Sequence, residues 1–233
     1  MPLQPTMNQN LREEFNQWVL DGRSAQLEAH HRCFVEEMIP RMNIQPRDRV
    51  LEVGCGEGWA SRWLASLVPE GMVVGLDVSD EMVSKARAGS ASCENLLFVW
   101  ADAEDIPWQE KFFSQVLCVE AFYYMENPEK TLRELYRVMS PGASVWILNH
   151  LSKENEITLG WLPRLKVPVK LLSAEEYGSL LEQCGFQEYS YRMIPDRSLV
   201  SDNTYDGLVT DPEQLRRFRE SGALLMTARR PEE

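Results

Sequence analysis

The sequence predicts an α/β protein built on a doubly wound, mostly parallel sheet, and two observations carry that expectation. From Arg49 to Leu148, short apolar runs alternate with segments of helical periodicity, the order that lays helices on both faces of a parallel sheet. At the start of that region "VLEVGCGEGWAS", Val50 to Ser61, sets three glycines within five residues, behind an apolar run and ahead of a helical pattern. A glycine turn of this kind lets backbone N–H groups and a helix N-terminus approach a bulky polar ligand with no side chain in the way.

The elements follow in order. Leu11 to Met38 carries apolar residues at helical spacing and is broken by "DGRS" at 21–24, which predicts two helices parted at Gly22. Pro40 to Asp48 reads as a connector. The alternation then runs through a strand at Arg49–Val53, a helix at Glu57–Leu67, a strand at Met72–Leu76, a helix at Asp80–Ala88 and a strand at Leu96–Trp100. Ser114–Val119 is the fourth strand. A helix over Pro128–Met139 is opened by Asn127 as N-cap with Pro128 at its first position, and "SPG" at 140–142 separates it from a strand at Ser144–Leu148. Ser173 and Glu176 are spaced as a capping box for a helix over Ser173–Cys184, with Gly185 as its stop. Gln187–Met193 and Ala223–Arg229 are the last two strands. Leu151–Leu172 and Ile194–Gly222 fall outside the alternation and read as insertions, the second with a helix-like "DPEQLRRFRES". The whole, 1–233, is expected to be one domain: an N-terminal helical lid at 1–44, a core at 45–150, and the insertion and closing strands at 151–233.

Composition narrows the partners. The chain has 233 residues and a formal net charge of −12, a field that opposes phosphate backbones and anionic membranes and favours a small-molecule partner over nucleic acid. Arg216, Arg217 and Arg219 lie among Glu213 and Glu220 and read as a solvated helix face. The five cysteines are scattered without a CxxC pair, which predicts reduced thiols and a cytoplasmic protein. No apolar stretch approaches the ~18 residues that a membrane span requires, and the beginning, "MPLQPTMNQNLREEF", is too polar for a signal peptide.

Two acids identify what the glycine turn faces. Asp77 ends the second strand in "VVGLDVSD", where a carboxylate in a doubly wound sheet accepts hydrogen bonds from ribose hydroxyls. Asp102 follows the third strand in "LLFVWADAEDIPW", at the far end of an adenosine laid across the strand ends. A nicotinamide-dependent short-chain dehydrogenase would share the sheet and Asp77, but it needs a tyrosine with a lysine four residues on, and none of the seven tyrosines has one.

With these residues in place the sequence resembles the class I S-adenosylmethionine-dependent methyltransferases. Glu52, Gly54, Gly56 and Gly58 match their ExGxGxG motif, and "LDVSDEM", "ADAEDIPW" and "TLRELYRVMSPG" follow in order. The match is strong over 45–150, nearest the ubiquinone and menaquinone C-methyltransferase branch of small-molecule enzymes. It implies a seven-stranded sheet with the last strand antiparallel, S-adenosyl-L-methionine as cofactor and no metal. It also implies that the turn at Gly54, Cys55 and Gly56 holds the methionyl part, with Glu52 orienting its ammonium. Asp77 and Val78 would take the ribose, Met82 the adenine face, and Asp102 with Ala103 the adenine edge; Glu120 is placed with this set. Met82 as plain core and Asp102 as a turn cap remain open readings. Ala143 stands where the family has the second glycine of "PGG", away from the cofactor. "CVEAFYYMENP" after the fourth strand departs from the branch on the acceptor side.

Methyl transfer from a sulfonium is an in-line displacement that gains rate from orienting the acceptor and excluding water. An acceptor that must lose a proton needs a base. His150 after the fifth strand is best placed, with His30, His31, Tyr123 and Tyr124 as further candidates, and Tyr124 doubling as a pocket wall. Trp18 and Arg23 are expected to face the pocket from the N-terminal helices. The alternative to an enzyme is a non-catalytic module that binds the cofactor or a partner. Neither the acceptor atom nor the oligomeric state is legible.

Overall fold

The computed structural model describes residues 8–198 and 211–232. Of the second insertion, "SDNTYDG" and Tyr205 lie outside the described residues. Seven strands form one sheet: β1 Arg49–Val53, β2 Met72–Asp77, β3 Leu96–Trp100, β4 Phe113–Val119, β5 Met139–Asn149, β6 Gln187–Ile194 and β7 Ala223–Arg229, in the order β3-β2-β1-β4-β5-β7-β6. β1 to β5 pair in parallel, and β7 runs antiparallel to both β5 and β6, as expected. The strand order reverses between β1 and β4, which opens a crevice at their carboxyl ends.

Among the described residues eight α-helices accompany the sheet: α1 Gln9–Leu20, α2 Leu27–Met42, α3 Trp59–Leu67, α4 Asp80–Ala88, α5 Pro128–Val138, α6 Glu156–Leu159, α7 Ala174–Gln183 and α8 Pro212–Ser221. Successive strand residues point to opposite faces, so each strand feeds two cores. Val50, Val73 and Leu117 pack with Phe34 and Met38 of α2, Leu64 of α3 and Val83 of α4. Leu51, Val116 and Cys118 pack on the other side with Leu132 and Leu135 of α5 and Tyr177 and Leu181 of α7. The predicted caps are present: Asn127 Oδ1 accepts from Lys130 N at 3.0 Å, and Ser173 with Glu176 completes the capping box.

Several boundaries differ from the sequence reading, most by one or two residues, and three of them have a clear physical reason. α2 runs through Pro40 to Met42: the proline forfeits one backbone hydrogen bond, while Phe34, Met38 and Met42 continue one buried stripe that holds the last turn. α3 starts at Trp59 instead of Glu57, since Gly58 takes φ +77° at its N-cap. β5 begins at Met139 instead of Ser144; the backbone turns extended at once, Met139 pairs with Phe113, and a register shift before Gln115 absorbs "SPG".

α2 is thus part of the core, whereas α1 lies over the carboxyl ends. Asn8 caps α1 by accepting from Leu11 N at 3.1 Å. Arg12 grips Asp80 at the start of α4 with two bonds of 2.7 and 2.8 Å, and Asn16 bonds Asp80 and Ser79. Leu11 and Phe15 pack with Tyr124, Leu151 and Val167, so α1 and the 151–172 segment cover the crevice together. Arg12→Ala is expected to speed chymotryptic cleavage within α1, and S-adenosylhomocysteine to slow it in the unsubstituted protein. Equal cleavage rates in all three samples would argue against a ligand-coupled cover.

Candidate active site

Glu52, Gly54, Cys55, Gly56, Asp77, Val78, Met82, Asp102, Ala103, Glu120, Tyr124 and His150 line one cavity of about 240 Å³ at the strand ends, and the further candidates His30, His31 and Tyr123 line it too. The three glycines of the turn have different reasons to be glycine. A Cβ on Gly54 would overlap that of Ala121, and one on Gly58 would overlap the Phe98 ring. At Gly56 the nearest atom to such a Cβ is Met82 Sδ, 3.9 Å away, so its missing side chain leaves cavity space.

The acids around the turn are buried and partly satisfied. Asp77 accepts from Gly56 N at 2.8 Å and Ser79 N at 2.9 Å. Burial raises its carboxyl to about 6, against the pull of those backbone N–H groups. A carboxylate offers about four lone-pair sites, so each oxygen keeps capacity for one hydroxyl from the cavity. Glu52 accepts from Ser61 Oγ and is pushed up by burial to about 8, an environment that a cation would relieve. Asp102 caps a local turn by accepting from Glu104 N at 2.9 Å, and Met82 is buried on α4; both open readings of these residues hold alongside their place on the cavity wall. The donor and acceptor set, two acids beside a glycine turn with a thioether and alkyl wall, fits a ligand carrying an ammonium, paired hydroxyls and a flat ring.

The other half of the cavity is organised by Glu120. Its backbone is left-handed, φ +56°, and the adjacency of β4 and β5 brings it to His150. Glu120 Oε1 accepts from His150 N at 2.6 Å and contacts His150 Nδ1 at 2.9 Å, and Oε2 accepts from Tyr123 Oη at 3.0 Å. The carboxylate expected among the cofactor residues is therefore engaged by histidine. Burial alone would lower the His150 imidazole, but the Glu120 charge outweighs it and holds the group above the ordinary histidine value. Burial likewise opposes ionisation of Glu120, which His150 keeps below the usual carboxylate range. With Nδ1 committed to Glu120, His150 Nε2 is buried with no hydrogen-bond partner.

Aromatic groups enclose this half. Phe218 stacks on His150 at 5.4 Å, Trp161 packs on Phe218 at 5.3 Å, and Phe15 meets the Tyr124 ring edge-on at 5.0 Å. Burial pushes the Tyr124 hydroxyl up to about 12, so it stays protonated. Trp18 and Arg23 line the cavity as expected, with the guanidinium 3.7 Å from the indole centroid. His31 reaches the cavity from α2, and one atom each from His31, Glu120 and His150 lie within 4.8 Å of one another, a set that could also hold a metal ion. That Glu120 pairs with His150 was not foreseen from the sequence, and Trp161 and Phe218 were not selected as site residues. The only trace of Phe218 is its place three residues after Leu215 on α8, as the second buried residue of an otherwise polar helix.

Comparisons with known proteins bear on the fold and the family. A family model described as a methyltransferase domain matches residues 51–147. The chain is 30% identical to a phthiotriol/phenolphthiotriol dimycocerosates methyltransferase of Mycobacterium ulcerans over 76% of its own length and 64% of the relative's. It is also 30% identical to a ubiquinone/menaquinone biosynthesis C-methyltransferase of Ectopseudomonas mendocina over 54% of this chain and 51% of that one. The matches thus span between half and two thirds of those relatives. Among solved structures, a Haloferax volcanii chain in complex with the Trm112 methyltransferase activator superposes with a TM-score of 0.84 at 28% identity, over 94% of this chain and 98% of that one. In its glycine turn, strand order and relatives, the chain is similar to the class I S-adenosylmethionine-dependent methyltransferases.

Proposed function

We propose that this protein methylates a small-molecule acceptor, with His150 as the general base. The observation that carries the reading is the buried, unpartnered Nε2 of His150, a residue that lines the same cavity as the glycine turn and whose Nδ1 is held by Glu120. S-Adenosylmethionine, when bound, supplies a methyl group on a positively charged sulfur, already activated for in-line displacement. Gly54 and Gly56 border the methionyl end and Glu52 faces its ammonium. Asp77 accepts from the ribose hydroxyls, Val78 and Met82 form the apolar wall, and Asp102 with Ala103 meets the ring edge. Glu120 fixes the His150 tautomer and favours the imidazolium, so that Nε2 can take a proton from the acceptor. Tyr124 and the aromatic walls exclude water.

In this reading 45–150 is the cofactor-binding core, α1 within 1–44 is its cover, and 151–233 supplies the remaining cover and the closing strands. Among the described residues no helix is long and apolar enough to cross a membrane, and the five free thiols suit the cytoplasm. The test is transfer of labelled methyl groups from S-adenosylmethionine to a metabolite panel. Binding of S-adenosylhomocysteine without transfer to any member would favour a non-catalytic binding module instead.

We also infer a protein partner of the Trm112 activator type. β3 is an edge strand, and on it Leu97 and Trp100 are 46% and 41% exposed, an unpaired apolar edge of the kind that strand addition covers. Support comes from the Haloferax chain, which is solved with such an activator. Leu97→Asp is expected to abolish co-elution with a Trm112-type protein on gel filtration, and Tyr191→Asp on the opposite edge strand to leave it intact. The reverse pattern would move the contact to β6.

A further inference from the structure

We infer that His31 grips the acceptor atom opposite His150, which makes the acceptor a flat apolar molecule carrying an ionisable hydroxyl, a phenol or an enol. The inference rests on the reading of His150 as the base. The two imidazole centroids are 6.3 Å apart, and one nitrogen of each lies within 4.8 Å of the other and of a Glu120 oxygen. One oxygen can bridge such a pair with two hydrogen bonds of about 2.8 Å. Burial, outweighing the nearby Glu120 charge, lowers His31 to about 4, with His150 and His30 adding to the fall and Asp196 opposing it. A neutral imidazole at His31 presents one N–H donor and one acceptor nitrogen. In its neutral form His150, with Nδ1–H turned to Glu120, presents an acceptor.

One acceptor beside one donor distinguishes among nucleophiles. A hydroxyl gives its proton to His150 Nε2, and the resulting oxyanion has lone pairs enough to accept from His31 N–H and still attack. As the new C–O bond forms, the S–CH₃ bond breaks and its electron pair stays on sulfur. The products are the methyl ether, neutral S-adenosylhomocysteine and a His150 imidazolium, which then returns its proton to water. A neutral amine has one lone pair, and a donor at His31 competes with the attack. A thiolate is a weak hydrogen-bond acceptor and gains little from the pair. The skeleton that bears the hydroxyl is indicated by the walls: Phe15, Trp18, Tyr124, Trp161 and Phe218 surround this half of the cavity, and aromatic faces and edges favour a flat ring between them.

The test uses the full chain with labelled S-adenosylmethionine and four acceptors on one skeleton: 2-naphthol, 2-naphthylamine, 2-naphthalenethiol and 2-naphthoate. The expected result is methylation of the naphthol at least about 10-fold faster than of the other three. His31→Ala should lower kcat for the naphthol on the order of 10²-fold, as loss of an oxyanion donor does. It should also move the pH–rate profile to higher pH, because the acceptor hydroxyl becomes harder to ionise, while leaving S-adenosylhomocysteine binding unchanged. His31→Asn, which restores an N–H donor, should recover much of the loss. Preference for the amine or thiol, transfer to none of the four, or unchanged kcat in His31→Ala overturns the inference. So does activity that is lost to EDTA and restored by Zn²⁺, which would give the trio to a metal. Loss of activity in His150→Gln with no effect of His31→Ala overturns this inference alone, whereas failure of the unsubstituted protein to bind S-adenosylhomocysteine overturns the methyltransferase reading beneath it.

Discussion

His150→Gln is expected to lower kcat on the order of 10²-fold, the usual loss for a general base, and to leave the dissociation constant of S-adenosylhomocysteine unchanged. Glutamine can keep a bond to Glu120 but cannot accept a proton. The pH dependence provides a second readout, and its sign follows from the environment. Burial lowers the imidazole, but the Glu120 charge and hydrogen bond raise it further, so His150 titrates above the ordinary histidine value. The base is free only above that pKa, and kcat should rise with pH along a limb displaced to the alkaline side of an unperturbed histidine. In Glu120→Gln the charge is gone while burial remains. The limb should then move to lower pH and the plateau should fall, because a less basic and less oriented imidazole takes the proton. A limb that stays in place in Glu120→Gln would detach the carboxylate from the base.

Asp77→Ala is expected to weaken S-adenosylhomocysteine binding by roughly 1.5–3 kcal/mol, the worth of hydrogen bonds to a charged group, or about 10- to 150-fold in the dissociation constant. Two effects act in the same direction. The ribose hydroxyls lose their acceptor, and the N–H groups of Gly56 and Ser79 lose the oxygens that tie the glycine turn to β2. Asp77→Asn keeps one acceptor oxygen and should fall between the two. Calorimetric titration with S-adenosylhomocysteine, and with NAD as control, measures this. Tight NAD binding in the unsubstituted protein would point back to dehydrogenase chemistry, and an unchanged affinity in Asp77→Ala would remove only the role given to this acid.

The cofactor half of the cavity was legible because its residues sit at fixed offsets from strands that the hydrophobic pattern reveals. Glu52, Gly56, Asp77 and Asp102 each lie within a few residues of the end of β1, β2 or β3, and parallel pairing in register brings those ends together. The acceptor half was legible only in part. His150 was selected because it follows β5, but its partner Glu120 is thirty residues away in sequence, and only the β4–β5 register makes them neighbours. His31 comes from a helix whose periodicity speaks for core packing. Trp161 and Phe218 arrive from the two insertions, where no sheet pattern dictates position. Pro40 and "SPG" show the same limit from the other side: local breakers misplaced two boundaries that tertiary pairing decided.

On the proposed function, the grip of Arg12 and Asn16 on Asp80 and Ser79 predicts an order of events in turnover. α1 carries Phe15 and Trp18, which wall the acceptor half, yet it is fastened to the start of α4, directly after Asp77 and Val78 and just before Met82. Settling of the β2–α4 junction around the cofactor is thereby passed to the far wall of the acceptor half. Steady-state kinetics should therefore be sequential with the methyl donor first on and S-adenosylhomocysteine last off. Product inhibition should be competitive against the donor and noncompetitive against the acceptor.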